Sequence, residues 1–282
     1  MDIAYKRGLS MKAVFCLTSA ESKRLIAKAV ANLPEVMRAR KDGKVILAAG
    51  TTNVFVAEEI LNTKIPDKWR YCYGLITDGY PCMAADDNRP PLFVIAEGKV
   101  SDIPFREAVK GMSVSDVFIK GANAIDPALE AGVLVAHENG GTLGFAAPYL
   151  EQSGAMLIMP VGLEKLIPSV RAAAQFGGIE DIQFSYGFKN RLAPVEVSKK
   201  IIITEIEALQ ALCHVHTVLM GAGGIGGSEG SVVLGISGDD VDVHLALEII
   251  RSIKGEPNLE GRKQLCSDCG SPCSVLSWTT QK

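Results

Sequence analysis

Residues 44–61 read KVILAAGTTNVFVAEEIL, and this stretch decides the fold class. Lys44 to Ala49 is short and apolar, the pattern of a buried strand. Gly50-Thr51-Thr52-Asn53 is turn-forming, and Val54 to Leu61 reads as a helix. Together they make a strand, a glycine turn and a helix. The rhythm continues downstream. Leu92–Ala96, Asp116–Lys120, Ala131–Ala136 and Met156–Pro160 read as strands, with helices expected at Pro104–Lys110 and from about Ala146 to Ser153. Strands alternating with helices predict an α/β fold: a Rossmann-like, mostly parallel sheet with helices on both faces. Upstream, Thr18 and Glu21 have capping-box spacing, and Leu25, Ile26, Ala29, Val30 and Leu33 continue one helical face. Pro66–Pro91, rich in proline, glycine and aromatics, reads as a loop excursion with room for a short hairpin.

After Pro194 the order changes. Lys200–Thr204, Val215–Met220 and Ser231–Ser237 read as strands, Glu205–Cys213 and Val241–Ile253 as helices, and Val275–Trp278 as a last strand. That β-α-β-β-α-β order predicts a smaller ferredoxin-like α+β domain. The expected division is therefore residues 1–195 and 196–282.

The chain has 282 residues, 48% of them hydrophobic and 22% charged, enough for a large core. A net charge of −3 argues against a general nucleic-acid binder and against docking on anionic membranes. The longest apolar run, Gly154–Leu163, is broken by Pro160 and falls far short of the roughly 20 residues that span a bilayer. Met1–Ser10 lacks the apolar core of a signal peptide, so a cytoplasmic location with reduced thiols is expected.

Five segments are candidates for chemistry. Gly50, Thr51, Thr52 and Asn53 open a helix, whose unpaired amides suit a phosphate; the same turn also serves as an ordinary βα connection. Lys120-Gly121-Ala122-Asn123-Ala124-Ile125-Asp126-Pro127 follows a strand, and ligands in open α/β sheets bind beyond the carboxyl ends of strands. Lys120, Gly121 and Asn123 are its binding candidates, with local turn duties as the plainer alternative. His137-Glu138-Asn139-Gly140-Gly141-Thr142 also follows a strand; Glu138 suits a base or a nucleophile, flanked by Asn139, Gly140 and Gly141 as ligand contacts. Gly221–Gly227 satisfies G-x-G-x-x-G but leads into an apolar, β-branched strand, so a hairpin lid fits better than a dinucleotide site. Cys266, Cys269 and Cys273 have spacing that suits zinc or part of an iron–sulfur cluster, with free or redox-active thiols as the alternative. No fourth ligand is evident from the sequence, with Cys213 and Asp268 as options.

Two of these segments carry a resemblance. Asp116–Pro127 resembles the strand-turn signature of ribose-5-phosphate isomerase A, and Val45–Leu61 is similar to the phosphate-binding loop of the same superfamily. That superfamily includes glucosamine-6-phosphate deaminase, sugar-sensing repressor effector domains and class I CoA-transferases, and the resemblance spans roughly residues 20–170. It implies sugar-phosphate binding at the strand ends. The isomerase pattern has aspartates where this chain has Lys120 and Asn123; only Asp126 keeps its carboxylate, and the family's catalytic lysine falls near Glu138. Ribose-5-phosphate isomerisation is therefore not expected, and Asp126 is retained as a catalytic candidate beside Glu138. Glu138-Asn139-Gly140 is similar to the Glu-Asn-Gly segment of class I CoA-transferases, which implies an acyl-transfer alternative through Glu138.

The expected function is binding of a phosphorylated, sugar phosphate-like metabolite, with isomerase-like turnover left open. CoA-dependent acyl transfer or hydrolysis, and redox or metal sensing through the tail cysteines, are the alternatives. The expected partners are a small phosphorylated or CoA-type ligand and a second copy of the chain, with no nucleic acid and no membrane. No cofactor is firmly implied; zinc or iron–sulfur at the C-terminal cysteines is the option left open.

Overall fold

A computed structural model describes residues 10–85, 89–270 and 273. In chain order its elements begin β1 (Met11–Leu17), α1 (Ser19–Ala31), α2 (Pro34–Asp42), β2 (Lys44–Leu47), α3 (Thr51–Leu61), β3 (Gly74–Thr77) and β4 (Tyr80–Met83). They continue with β5 (Val94–Ala96), β6 (Lys99–Val100), α4 (Phe105–Lys110), β7 (Val117–Ile119), β8 (Ala124–Ile125), β9 (Ala131–Val135), α5 (Gly141–Ser153) and β10 (Met156–Pro160). The remainder is α6 (Val170–Ala174), β11 (Arg191–Pro194), β12 (Lys200–Ile203), α7 (Glu205–Cys213), β13 (His216–Gly223), β14 (Ser231–Gly238) and α8 (Asp240–Ile253).

The fold is mixed α/β. Its principal sheet has six strands in the order β12-β10-β7-β2-β5-β6. β2, β7, β10 and β12 are parallel, and β5 and β6 join antiparallel at one side. Alternate residues of the parallel strands enter two different cores. Val45, Leu47, Val117, Ile119, Ile158 and Ile203 enter one. Ile46, Ala48, Phe118, Leu157 and Met159 enter the other. Such continuous apolar strands are what a sheet covered on both faces requires. The first core is closed by α1, α3, α7 and α8, the second by α4 and α5.

Helix α1 is the hub of the first core. The Glu21 amide donates to Thr18 Oγ1 at 3.3 Å and the Thr18 amide to Glu21 Oε2 at 2.9 Å, completing the expected capping box. The helix packs against α3, α7, α8, β1, β10 and β12. Arg24 is buried within it and pairs with Glu58, with Glu59 at 2.8 Å and with Glu256 at 2.9 Å. Its guanidinium also lies 4.5 Å from the centre of the Phe55 ring. Burial disfavours the charge on Glu58, but the Ile65 amide, Arg24 and Lys68 outweigh it and hold the carboxyl below its ordinary range.

Several expectations are revised. Lys200–Ile203, expected to begin the second domain, pairs in parallel with β10 and is the outer strand of the principal sheet. β1 pairs antiparallel with β14, forming a three-stranded sheet ordered β1-β14-β13. Both pairings cross the expected 195/196 boundary. A strand goes where its apolar face finds a partner, and here the partners are far off in sequence. The last expected strand, 275–278, lies outside the described residues. β9 joins β8 and β11 in a separate three-stranded sheet. α5 begins at Gly141 rather than near Ala146 and accommodates Pro148. The 66–91 excursion contains the β3–β4 hairpin. Among the described residues no helix is long and apolar enough to cross a membrane.

Candidate functional site

Because β2, β7, β10 and β12 are parallel, their carboxyl ends share one edge. At the end of β2 the chain turns at Gly50, whose φ of +148° is a conformation that favours glycine. The Gly50 amide donates to Tyr71 O at 3.0 Å. Among the described residues no side chain caps α3, so its first-turn amides face the edge without a side-chain acceptor. Asn53 is 2% exposed. Its Nδ2 donates to Ala48 O at 2.7 Å and to Ile119 O at 3.4 Å, tying the ends of β2 and β7 together. Its Oδ1 is buried with no hydrogen-bond partner among the described residues. That oxygen lies 3.9 Å from where a Cβ at Gly121 would stand.

Two lysines converge on the same edge. Lys120 follows β7, and its Nζ donates to Gly121 O at 3.1 Å. Lys165 comes from the short 3-10 turn after β10, and its Nζ donates to the adjacent carbonyl, Ala122 O, at 3.0 Å. Neither forms an ion pair among the described residues. Burial, and then the neighbouring Lys165, pull the Lys120 pKa down to about 8. Lys165 is lowered by burial and then by Lys23, against the opposing pull of Glu164, Glu205 and Cys72. Lys23 reaches in from α1 and pairs with Glu164 at 3.0 Å. Burial acts to raise the Glu164 pKa, but Lys23 and Lys165 outweigh it and hold the carboxyl down.

The rest of the edge is closed by buried groups. Cys72 is 3% exposed, and burial pushes its thiol up to about 11 despite Lys120, Arg89, Lys165 and Lys23. Glu205, first residue of α7, is fully buried and accepts from the Leu163 amide at 2.8 Å. Burial raises its pKa more than Ser22 and Leu163 lower it. The glycine-rich segment joins antiparallel β13 and β14 with no helix following. At its end Gly230 has φ +78°, and a Cβ there would meet Glu164 Oε2 at 2.9 Å. Glycine thus lets the hairpin close down beside the Lys23–Glu164 pair.

Not all the expected residues join this group. Gly50, Thr51, Thr52, Asn53, Lys120 and Gly121 do. Asn123 is exposed, and its Oδ1 accepts from the Leu134 amide at 3.1 Å, bracing the β7–β9 connection. Asp126 is buried and accepts from the amides of Ala128 and Glu130 at 3.0 Å and Val170 at 2.9 Å. The Val170 amide, with Glu130 and Ala128, holds its pKa below the ordinary range, so the carboxylate is engaged in closing a loop. Glu138 and Asn139 are exposed, and with Gly140 and Gly141 they follow β9, which is not one of the four parallel strands. Cys266, Cys269 and Cys273 border a different cavity, together with Cys82.

Sequence reasoning missed Lys165, Lys23 and Cys72. The strand-end rule that marked Lys120 applies equally to Lys165, five residues past Pro160. Nothing local marks Lys23 or Cys72, which reach the edge only through tertiary packing. No family model matches this chain, and no curated protein or solved structure shows significant similarity to it.

Proposed function

We propose that the protein binds a phosphorylated small metabolite at the carboxyl edge of the principal sheet. The observation that carries this reading is the pairing of Lys120 and Lys165. Their ammonium groups bond adjacent carbonyls, Lys165 disfavours the charge on Lys120, and neither stands within ion-pair distance of a carboxylate among the described residues. A phosphate between them supplies that counter-ion. The uncapped first turn of α3 supplies amides and a partial positive charge to the same anion. On this reading the sheet is Rossmann-like in plan, with the ligand where such sheets place it, beyond the strand ends. The resemblance of Val45–Leu61 and Asp116–Pro127 to the sugar-phosphate isomerase superfamily agrees with it.

Lys120 also gives the reading its chemistry. With a pKa of about 8, a fraction of its side chain is neutral near pH 7. With the phosphate held mainly by Lys165 and the α3 amides, the neutral form of Lys120 can accept a proton from the carbon beside a sugar carbonyl, the step that isomerase-like turnover requires. Isothermal titration with ribose 5-phosphate and glucose 6-phosphate, against the unphosphorylated sugars, tests the proposal. Binding should require the phosphate and should weaken at least about tenfold in Lys165→Met, the loss of one charge-assisted contact of about 1.4 kcal/mol or more. No binding to any sugar phosphate, with Thr51→Ala indistinguishable from wild type, would remove it.

A further inference from the structure

Cys82 lies 184 residues before Cys266 in the chain, yet it borders the same cavity as the tail cysteines. Main-chain pairing brings the two segments together. Ala84 and Lys263 form an antiparallel bridge. The Gln264 amide donates to Met83 O at 2.9 Å and the Ala85 amide to Arg262 O at 2.9 Å. The ladder runs toward Cys82 on one strand and toward Cys266 on the other. Cys82, Cys266, Cys269 and Cys273 then border one cavity of about 90 Å³, walled in part by Met83 and Phe188. All four thiols are free.

We propose that Cys82, Cys266, Cys269 and Cys273 form a four-thiolate centre for a thiophilic metal, either a zinc ion or an iron–sulfur cluster. The donor set selects the metal class. Among the described residues no carboxylate or imidazole borders the cavity, and pure sulfur ligation favours zinc and iron–sulfur over magnesium or calcium. Cys-x-x-Cys supplies two ligands from one tight turn, and a distant strand supplies another, the usual way a metal staples two chain segments. Lys263 also borders the cavity, paired with Asp78 at 2.8 Å. A cation there offsets the net negative charge that four thiolates leave on either centre. Among the described residues no group of three or more such side chains already stands in ligating geometry. Metal binding therefore draws the three tail thiols in toward Cys82, and the binding free energy adds to folding stability.

The test uses the full chain purified anaerobically from cells supplied with zinc and iron. Elemental analysis with an acid-labile sulfide assay should find about one zinc per chain, or about four irons with matching sulfide and visible absorption. Cys82→Ser should lower metal content as far as Cys269→Ser does, whereas Cys16→Ser, on the exposed face of β1, should leave it unchanged. Alkylation of the wild-type protein gives a readout free of folding artefacts. Added metal should protect Cys82, Cys266, Cys269 and Cys273 from a thiol reagent by more than about tenfold and leave Cys16 unprotected. A metal-free wild type whose four thiols react equally with and without added zinc or reconstituted cluster would overturn the proposal. So would full metal retention in a folded Cys82→Ser protein.

Discussion

Replacing Lys120 with methionine should make the protein more stable at neutral pH while removing its ligand response. The folded state lowers the Lys120 pKa from an ordinary 10.5 to about 8. At about 1.36 kcal/mol for each tenfold change in proton affinity, holding the charged form costs about 3 kcal/mol below pH 8. Methionine keeps the apolar stem and removes the charge. It also removes the bond to Gly121 O, worth about 1 kcal/mol, so the net gain at pH 7 is about 2 kcal/mol. The sign of the pH dependence follows from the direction of the shift. Below pH 8 both folded and unfolded lysine are protonated, and the full cost is present. Between about 8 and 10.5 the folded state releases its proton first, so wild-type stability rises with pH. By pH 10 the two proteins should be about equally stable. Urea denaturation at pH 7 and pH 10 measures the difference, and titrations common to both proteins cancel. A phosphorylated ligand at 100 times its Kd should stabilise wild type by about 2.7 kcal/mol and the variant by much less. A variant less stable than wild type at pH 7, or a difference that does not change with pH, would refute the assignment of Lys120 as a half-buried, uncompensated cation.

Other perturbations separate architecture from site. Arg24→Met should cost about 3–5 kcal/mol in chemical denaturation, because it leaves Glu58 buried with only the Ile65 amide and Lys68 to offset it. Asp126→Asn should lower the melting temperature by several degrees, since all three amide contacts lose a charged acceptor and at least one amide meets an NH2 donor instead, a loss of about 2–3 kcal/mol, yet sugar-phosphate affinity should hold. The Asp126 contribution should be present above the unfolded aspartate pKa and fade as pH falls through the depressed folded value. Glu138→Gln, on an exposed loop, should change neither stability nor phosphate-dependent binding beyond twofold or so; a large loss of binding would move the site away from the lysines.

The parts of the fold legible in the sequence are those set by local rules. Thr18 and Glu21 marked the start of α1 because a capping box involves only four consecutive residues. Met156–Pro160 was legible because five apolar residues between a glycine and a proline-led turn leave few other options. Other elements hid behind their composition. α5 starts with Gly141 and contains Gly144 and Pro148, residues that disfavour helix, so its first turn reads as loop. Lys200–Ile203 looked like the first strand of a new unit because nothing local records that Ile201 will face Ile158. The site divides the same way. Gly50–Asn53 and Lys120 were visible as strand-end turns, whereas Lys23 and Cys72 reach the lysine group only by packing. Cys82 gave no local sign of its partners, since their approach depends on a bridge between Ala84 and Lys263.

The pairing of β1 with β14 also governs how the chain is made. Leu17 aligns with Val232, 215 residues later. At a synthesis rate of about 5–20 residues per second, β1 leaves the ribosome on the order of 10–40 seconds before its partner exists. During that interval the edge of β1 that β14 will cover is open to strangers. Alternate residues of β1, from Lys12 through Val14 to Cys16, are exposed in the finished fold. A lysine among them is the kind of residue that discourages edge-to-edge association while a strand waits. The native fold is therefore closed late, by its last antiparallel hairpin, and the opening strand must survive unpaired until then.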